Sequence, residues 1–382
     1  MSRLFETAEI QIVDTTLRDG EQAPGVVFSP EEKIIIATML AKIGINELEV
    51  GTPAMGNDEI QVIQSIARLN LGCRLTCWCR ALESDLALAA TCGTDAVHLS
   101  FPASPEHLRA LGKDKRWVIE TMQSLVPAAQ KMFAFVSLGI QDAPRVQRRF
   151  LFDLAKFAND LGVNRLRIAD TIGILNPLQT FGLIAAVKSK VPEVSLDFHG
   201  HNDLGMATAN SIAAIEAGAK SVNVTVGGLG ERAGNAPLEE VAMALMTTPD
   251  KLTSIDLRSL TRLCQRVSAM SRRPIPIAKP ITGEAVFVHE SGIHCQAQLY
   301  NFLSYQPFAS ETVGRQSPEF VLGKHSGSAS IQYIMAKHGV PISKEEATEL
   351  LGKLRRAASS KKGSVSVEEL KAIYYGMGGT MS

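Results

Sequence analysis

The sequence predicts an α/β fold: a (β/α)8 TIM barrel followed by a linker and a small, mainly helical C-terminal region. Three observations predict it. Strand-like and helical runs alternate eight times before about residue 247. Several helix-to-strand joints repeat one formula, as in Lys42-Ile43-Gly44-Ile45, Leu161-Gly162-Val163 and Glu216-Ala217-Gly218-Ala219. In each, glycine accepts the left-handed conformation that ends a helix, and an apolar residue opens the next strand. Polar side chains also gather where the strands end, and barrels of this kind carry their chemistry there.

The elements follow in order. Strand-like runs are Ile10–Asp14, Glu47–Val50, Arg74–Trp78, Ala96–Ser100, Met132–Leu138, Arg165–Ala169, Val194–Phe198 and Ser221–Val226. Helical segments lie near 30–43, 57–68, 83–91, 115–129, 145–161, 177–189, 204–217 and 237–247. The first helix carries its own signals: Ser29 as N-cap, Pro30 at the first helical position and Glu32 completing a capping box. Ile34-Ile35-Ile36 with Met39, Leu40 and Ile43 gives it an apolar stripe, and Gly44 stops it. After residue 250 the composition changes. The run Arg272-Arg273-Pro274-Ile275-Pro276-Ile277-Ala278-Lys279-Pro280 is too rich in proline for a helix and reads as a linker. Helical patterns return at 328–338, 344–358 and 366–375. The organisation expected is a catalytic barrel over 1–265, a linker and lid subdomain over 266–330, and a helical region over 331–382.

Composition narrows the function. Lys+Arg and Asp+Glu are equal at 39 each in 382 residues, so there is no positive field for nucleic acid or an anionic membrane. No run of about 18 apolar residues offers a membrane span. The opening Met1-Ser2-Arg3-Leu4-Phe5-Glu6 lacks the core of a signal peptide, so the expected location is the cytoplasm. Cys73, Cys77 and Cys79 are spaced C-x3-C-x-C, which matches neither a zinc ribbon nor a common iron–sulfur run. The six cysteines are expected as reduced, mostly buried thiols.

The most informative stretch is Ser195-Leu196-Asp197-Phe198-His199-Gly200-His201-Asn202-Asp203. Side chains two apart in a strand point the same way, so His199 and His201 present their imidazoles to one side. That pair suits a divalent metal if a harder ligand joins it; otherwise it is two strand-end histidines bonded to neighbours. Asp19, in Asp14-Thr15-Thr16-Leu17-Arg18-Asp19-Gly20-Glu21-Gln22, is the candidate third ligand for Mg²⁺, Mn²⁺ or Zn²⁺, with a salt bridge to Arg18 as its alternative. Gln22 is a candidate ligand contact, and Glu21 is as readily structural. Glu49 ends an apolar strand and needs a partner, for which Arg18 is the natural choice. Further polar strand-end residues are Arg80, Gln141, Asp170, Thr171 and Asn235. Gly228-Leu229-Gly230 with Ala233 imitates a dinucleotide fingerprint, but no parallel strand or ribose-binding acid follows at the right interval. The segment reads better as a turn carrying Asn235 to the barrel mouth. His289 and His294 lie outside the barrel, where either could act as an acid or base if its segment folds over a site.

Together with His199-Gly200-His201-Asn202-Asp203-Leu204-Gly205 and Gly228-Leu229-Gly230-Glu231-Arg232-Ala233-Gly234-Asn235, the Asp14–Gln22 motif resembles the DRE-TIM metallolyases. Within them the chain looks like the Claisen-condensing branch of homocitrate, 2-isopropylmalate and citramalate synthases. Leu322-Gly323-Lys324-His325-Ser326-Gly327, Val288-His289-Glu290-Ser291-Gly292-Ile293-His294, Glu49–Gly56 and Thr76–Arg80 look most like homocitrate synthase of the nitrogen-fixation type. The chain is shorter than the isopropylmalate synthases that carry a leucine-sensing domain. The resemblance implies that acetyl-CoA is condensed with a 2-oxo acid, 2-oxoglutarate first among them, on a divalent metal. It implies Asp19, His199 and His201 as metal ligands with Asn235 near or on the ion. It gives Arg18 the developing oxyanion, and Gln22, Glu49 and Thr171 the 2-oxo-acid pocket, Glu49 counting also in the catalytic set. It makes His294 a lid acid/base donated across a homodimer, assisted by Tyr305. One departure stands out: the family carries a catalytic glutamate at the end of strand five, and here Gln141 occupies it. Either His294 works without that carboxylate, or Asp142 substitutes, or the activity differs. A superfamily carbon–carbon lyase and a non-catalytic protein binding metal and 2-oxo acid are the other readings.

Overall fold

The computed structural model describes residues 8–248, 251–316 and 319–379. Eight parallel strands close a barrel in sequence order. They are β1 Gln11–Asp14, β2 Glu47–Gly51, β3 Arg74–Arg80, β4 Ala96–Pro102, β5 Phe135–Gln141, β6 Arg165–Asp170, β7 Leu196–Gly200 and β8 Ser221–Val224. Closure sets Gln11 opposite Ser221 and Asp14 opposite Val224. The helices after the strands are α1 Pro30–Lys42, α2 Asn57–Ala67, α3 Glu83–Ala89, α4 Lys115–Met132, α5 Arg148–Asp160, α6 Pro177–Lys190, α7 Ala207–Glu216 and α8 Leu238–Thr247. The predicted fold class is therefore observed. The cap of α1 is also the predicted one: Ser29 Oγ accepts from the Glu32 amide at 3.2 Å, and Glu32 Oε2 accepts from the Ser29 amide at 2.8 Å. Gly44 ends that helix at φ +91°, where an added Cβ would lie 2.4 Å from the Ser254 carbonyl.

Several bounds differ from expectation. Strand five was expected from Met132, but α4 runs through Pro127 to Met132 and β5 begins at Phe135. One face of α4, Val118, Met122, Leu125, Val126 and Ala129, is buried, and this packing outweighs the missing Pro127 amide. The helix expected from 145 begins at Arg148, after a 3-10 turn at Ala143–Arg145. Three helices carry no expectation: Pro105–Ala110, α9 Leu260–Ser271 and α10 Gly292–Tyr300. None of the six cysteines is in a disulfide; Cys73 is half-buried and the others are buried. No helix among the described residues is long and apolar enough to cross a membrane.

The barrel interior is charged as well as apolar. Glu47 on β2 is paired with Arg165 on β6 at 2.6 Å, and Arg167 on β6 with Asp197 on β7 at 2.6 Å and Glu49 on β2 at 2.5 Å. All five side chains are buried, so each charge is held by its neighbours rather than by water. Burial alone would raise the Glu47 and Asp197 carboxyls, yet the arginines hold both below the usual carboxylate range.

Contacts divide the chain into two compact units, Met1–Ile275 and Pro276–Ser382. In the second, Val288–His289 pairs in parallel with Glu319–Phe320, and α10 is followed by α11 Ser328–Lys337, α12 Lys344–Lys361 and α13 Val367–Tyr375. Leu322, Ile331, Ile334, Met335, Val340, Leu350, Leu354 and Tyr374 form its core.

Candidate active site

The site of the first unit lies at the C-terminal strand ends. Asp14, the last residue of β1, bends the chain by accepting from the Thr16 amide at 2.9 Å and the Thr16 hydroxyl at 3.0 Å. Burial pushes its carboxyl up to about 7, against those hydrogen bonds. The turn delivers Arg18 and Asp19 into the barrel mouth. Asp19 Oδ2 lies 3.3 Å from His199 Nε2 and 3.9 Å from His201 Nε2, and the two Nε2 atoms are 3.2 Å apart. One donor atom from each of the three buried residues falls within 4.8 Å of the others.

The surroundings fix how these donors are protonated. Asn223 on β8 spends its amide nitrogen on both Asp197 oxygens, at 3.1 and 3.0 Å. Its Oδ1 therefore faces His199 Nδ1, 3.1 Å away, as an acceptor. His199 carries its proton on Nδ1 and turns the lone pair of Nε2 toward Asp19 and His201. Burial, with His199 beside it, lowers His201 to about 4 and leaves it neutral at pH 7. Burial would raise Asp19, but the Arg18 guanidinium holds its carboxyl well below the usual range. Asn235 donates to Asp19 Oδ1 at 3.1 Å and to the Leu229 carbonyl at 2.9 Å, while its buried Oδ1 has no partner within the protein. An ionised carboxylate, two imidazoles and a spare amide oxygen are a donor set that fits a divalent cation.

Arg18 stands beside this set. Its Nη1 donates to Asp19 at 2.8 Å, its Nε to Glu49 Oε2 at 2.9 Å, and it lies 5.3 Å over the Trp78 ring. The Asp19–Arg18 salt bridge is thus formed while Asp19 stays within the donor cluster, and Glu49 has the partner expected for it. Burial opposes the charge of Glu49, but Arg167 and Arg18 keep its carboxyl well below the usual range.

A cavity of about 160 Å³ opens over these residues, lined also by Gln22, Trp78, His98, Ser100, Gly139, Gln141, Arg167, Thr171 and Glu231. Gln141 Nε2 donates to Ser100 Oγ at 2.8 Å, leaving the Ser100 proton free. Ser137 Oγ accepts from Arg165 Nε at 3.3 Å and lies 2.9 Å from His98 Nδ1. The other ring nitrogen of His98, Nε2, lies on the edge that meets Gly139. Burial, with Arg167 nearby, keeps His98 well below its ordinary value and neutral. Arg167 Nη2 is buried with no partner within the protein. This wall thus offers two free donors, Ser100 Oγ and Arg167 Nη2, beside His98 Nε2.

Other candidates fall elsewhere. Arg80 turns outward to Asp85, at 2.8 Å, and does not line the cavity. Asp170 caps its own turn through the Ile174 and Leu175 amides, at 3.1 and 3.0 Å. Asp142 turns its carboxylate to Arg145 at 2.7 Å and is not a lining residue, while its amide donates to Thr171 Oγ1 at 2.8 Å. Glu21 is structural: its Oε1 accepts from the Phe28 amide at 3.0 Å and its Oε2 pairs with Lys33 at 2.6 Å. His294 and Tyr305 belong to the second unit, where their rings stack with centroids 4.0 Å apart. The sequence reading missed Trp78, His98, Ser100, Arg167 and Glu231. The signal for the strand residues was the period of two: His98-x-Ser100, Gly139-x-Gln141 and Arg167-x-Ala169-x-Thr171 each put alternate side chains inward.

Fold and site together define a (β/α)8 barrel with a candidate metal centre at its C-terminal mouth. The chain belongs to the HMGL-like family, whose model matches residues 9–267, and residues 281–362 match the homocitrate synthase post-HMGL domain-like model. It is 43% identical over 366 residues to 2-isopropylmalate synthase 2 of Caldanaerobacter subterraneus, covering 96% of this chain and 95% of that one. It is 43% identical over 363 residues to homocitrate synthase 1 of a Nostoc species, covering 95% and 96%. The solved HMG-CoA lyase of Bacillus subtilis matches at a TM-score of 0.64 and 22% identity, over 70% of this chain and 95% of that one, and shares the fold.

Proposed function

We propose that this protein condenses acetyl-CoA with a 2-oxo acid, 2-oxoglutarate in the first place, giving homocitrate and free coenzyme A. The observation that carries the reading is the convergence of Asp19, His199 and His201 beside Arg18. A divalent cation held by those three residues, with Asn235 in reach, would supply Lewis-acid polarisation of the ketone. Arg18, clamped by Asp19, Glu49 and Trp78, aims its guanidinium at oxygen that becomes negative during the reaction. One C–H bond of the acetyl methyl gives up its proton to a base, the enolate carbon bonds to the ketone carbon, and the new alkoxide takes a proton. Water then cleaves the thioester and the thiol leaves. His294, stacked on Tyr305, is the base and acid of these steps, supplied by the partner subunit of a homodimer. The amide of Gln141 cannot carry a proton and instead orients Ser100.

The polar wall supports a dicarboxylic acceptor over a branched apolar one. An apolar side chain there would leave Ser100 Oγ and Arg167 Nη2 unpaired, at about 1–3 kcal/mol for each buried donor left unsatisfied. A distal carboxylate accepts from both. The test is thiol release from acetyl-CoA with Mg²⁺, Mn²⁺ or Zn²⁺ and a panel of 2-oxo acids. Release fastest with 2-oxoglutarate is expected; release fastest with a branched 2-oxo acid would move the reading to an isopropylmalate-type synthase. No release with any of them would reject condensation altogether.

A further inference from the structure

The reaction as derived leaves Arg232 unused, although it stands at the tip of the loop that carries Asn235. That loop, between β8 and α8, folds back on itself. The Asn235 amide donates to the Gly228 carbonyl at 3.1 Å, and the Gly234 amide to the Glu231 carbonyl at 2.8 Å. Arg232 holds φ +55°, a conformation that side chains of its type rarely adopt and that persists only when the surroundings impose it. Those surroundings are two neighbouring loops. Arg232 Nε and Nη2 donate to the two Asp203 oxygens, at 2.8 and 3.0 Å, in the loop after β7. Nη2 also donates to the Thr171 carbonyl, at 2.7 Å, in the loop after β6. Asp203 is itself pressed against the β6 loop, since a Cβ on Gly173 would lie 2.5 Å from its Oδ2. One guanidinium thus ties together three loops of the barrel mouth, its flat fork meeting a carboxylate and a carbonyl at once.

His201 gives this tie a purpose. The ring of His199 is fixed from behind by Asn223, at 3.1 Å, whereas the buried Nδ1 of His201 has no partner within the protein. Metal-binding histidines ordinarily have such a partner. The placing of His201 therefore falls to its backbone. Its amide donates to the Asp170 carbonyl at 3.3 Å, it bridges antiparallel to Asn235, and the Asn202 amide donates to the Gly234 carbonyl at 2.9 Å. All of these contacts link the same three segments that Arg232 joins. An ion pair as exposed as this one, with 42% of the Arg232 side chain open to solvent, adds little to stability. Its consequence is positional. We propose that Arg232 is a positioning residue for the metal centre: through Asp203 and the Thr171 carbonyl it holds His201 and Asn235 against Asp19. This rests on the metal centre of the reading above and does not depend on which acceptor is condensed.

The test compares the full chain with Arg232→Asn, with Asp203→Asn and with the two combined. Asparagine tolerates the left-handed backbone, so the first variant removes the tie without adding strain. Arg232→Lys is the conservative control, keeping the charge without the flat fork. Thermal melts show that each protein is folded, and Mn²⁺ is titrated into the metal-free proteins by calorimetry. Arg232→Asn is expected to lose about tenfold or more in Mn²⁺ affinity, the size seen when a group that orients a ligand is removed, with its thermal midpoint little changed. Arg232→Lys should recover part of that loss. The double variant should lose no more than the worse single one, because the two residues act as a unit. In turnover the KM for the 2-oxo acid should rise while that for acetyl-CoA stays put. Unchanged Mn²⁺ affinity in Arg232→Asn would overturn the proposal. So would losses that add in the double variant, since Arg232 would then act by a route other than Asp203. Absence of Mn²⁺ binding by the wild type would overturn it together with the metal centre. Absence of thiol release alone rejects condensation, and the metal titrations still decide the role of Arg232.

Discussion

Asn223 decides which face of His199 is available. Its amide nitrogen is consumed by Asp197, whose own charge is held by Arg167, so its oxygen must take the His199 Nδ1 proton. Three strands thereby contribute to one lone pair on His199 Nε2. Asn223→Ala removes that acceptor, and the imidazole is free to place its proton on Nε2. Loss of such an outer partner costs about 10–100-fold in metal affinity. Metal titration of the stripped variant, by calorimetry with Mn²⁺ or Zn²⁺, is expected to show a loss of that size without a fall in thermal midpoint large enough to report unfolding. Unchanged affinity would remove Asn223 from the site.

At the scale of the element, β4 and β5 are built to bring one imidazole against a glycine. An ideal Cβ on Gly139 would sit 2.5 Å from His98 Nε2, so the ring occupies the space a side chain would take. Gly139→Ala must push His98 out of its bond to Ser137, and buried β-strands give little room for this. The expected result is a fall in kcat/KM for the acceptor of about tenfold or more, as for one lost buried hydrogen bond, with the KM for acetyl-CoA unmoved. A uniform loss in both substrates would instead point to a general distortion of the barrel. These two strands also mark how far the sequence could be read. Strand existence, helix caps and the Asp19/His199/His201 convergence were legible because they rest on local periodicity, on capping chemistry and on motifs. The inward set on β4, β5 and β6 was not, because His98, Ser100 and Arg167 acquire meaning only beside residues tens of positions away. Met132 was misread as strand because an apolar residue at a helix end looks the same as one at a strand start. The second unit's Gly292–Tyr300 helix was not legible either, because it opens on a glycine and its N-cap Ser291 makes no side-chain cap.

On the scale of the whole molecule, the barrel is held shut by charges that only the closed sheet brings together. Glu47 and Arg165 are 118 residues apart and meet through two hydrogen bonds, at 2.9 and 2.6 Å, with both side chains buried. Arg74, itself partly exposed, reaches the same carboxylate at 2.9 Å. Arg165→Met keeps the volume and removes the cation, leaving Glu47 with Arg74 and Thr76 alone. Breaking a buried pair from one side costs about 3–5 kcal/mol, whereas replacing both partners by apolar groups is often close to neutral. Denaturant unfolding should therefore show a larger loss for Arg165→Met than for Glu47→Leu/Arg165→Met. The pH dependence gives the sign. In the wild type Glu47 titrates below its ordinary 4.5 when folded, so its contribution is complete above that pH and is lost as pH falls through the folded value. In Arg165→Met the carboxyl is still buried but poorly compensated, its folded value moves upward, and the stability difference from wild type should be greatest near pH 7. That difference should shrink as the pH is lowered toward 4.5, where protonation relieves the orphaned charge. A gap between the two proteins that stays constant from pH 7 to pH 4.5 would mean that Arg165 acts by packing alone and that the barrel interior does not depend on its ion pairs.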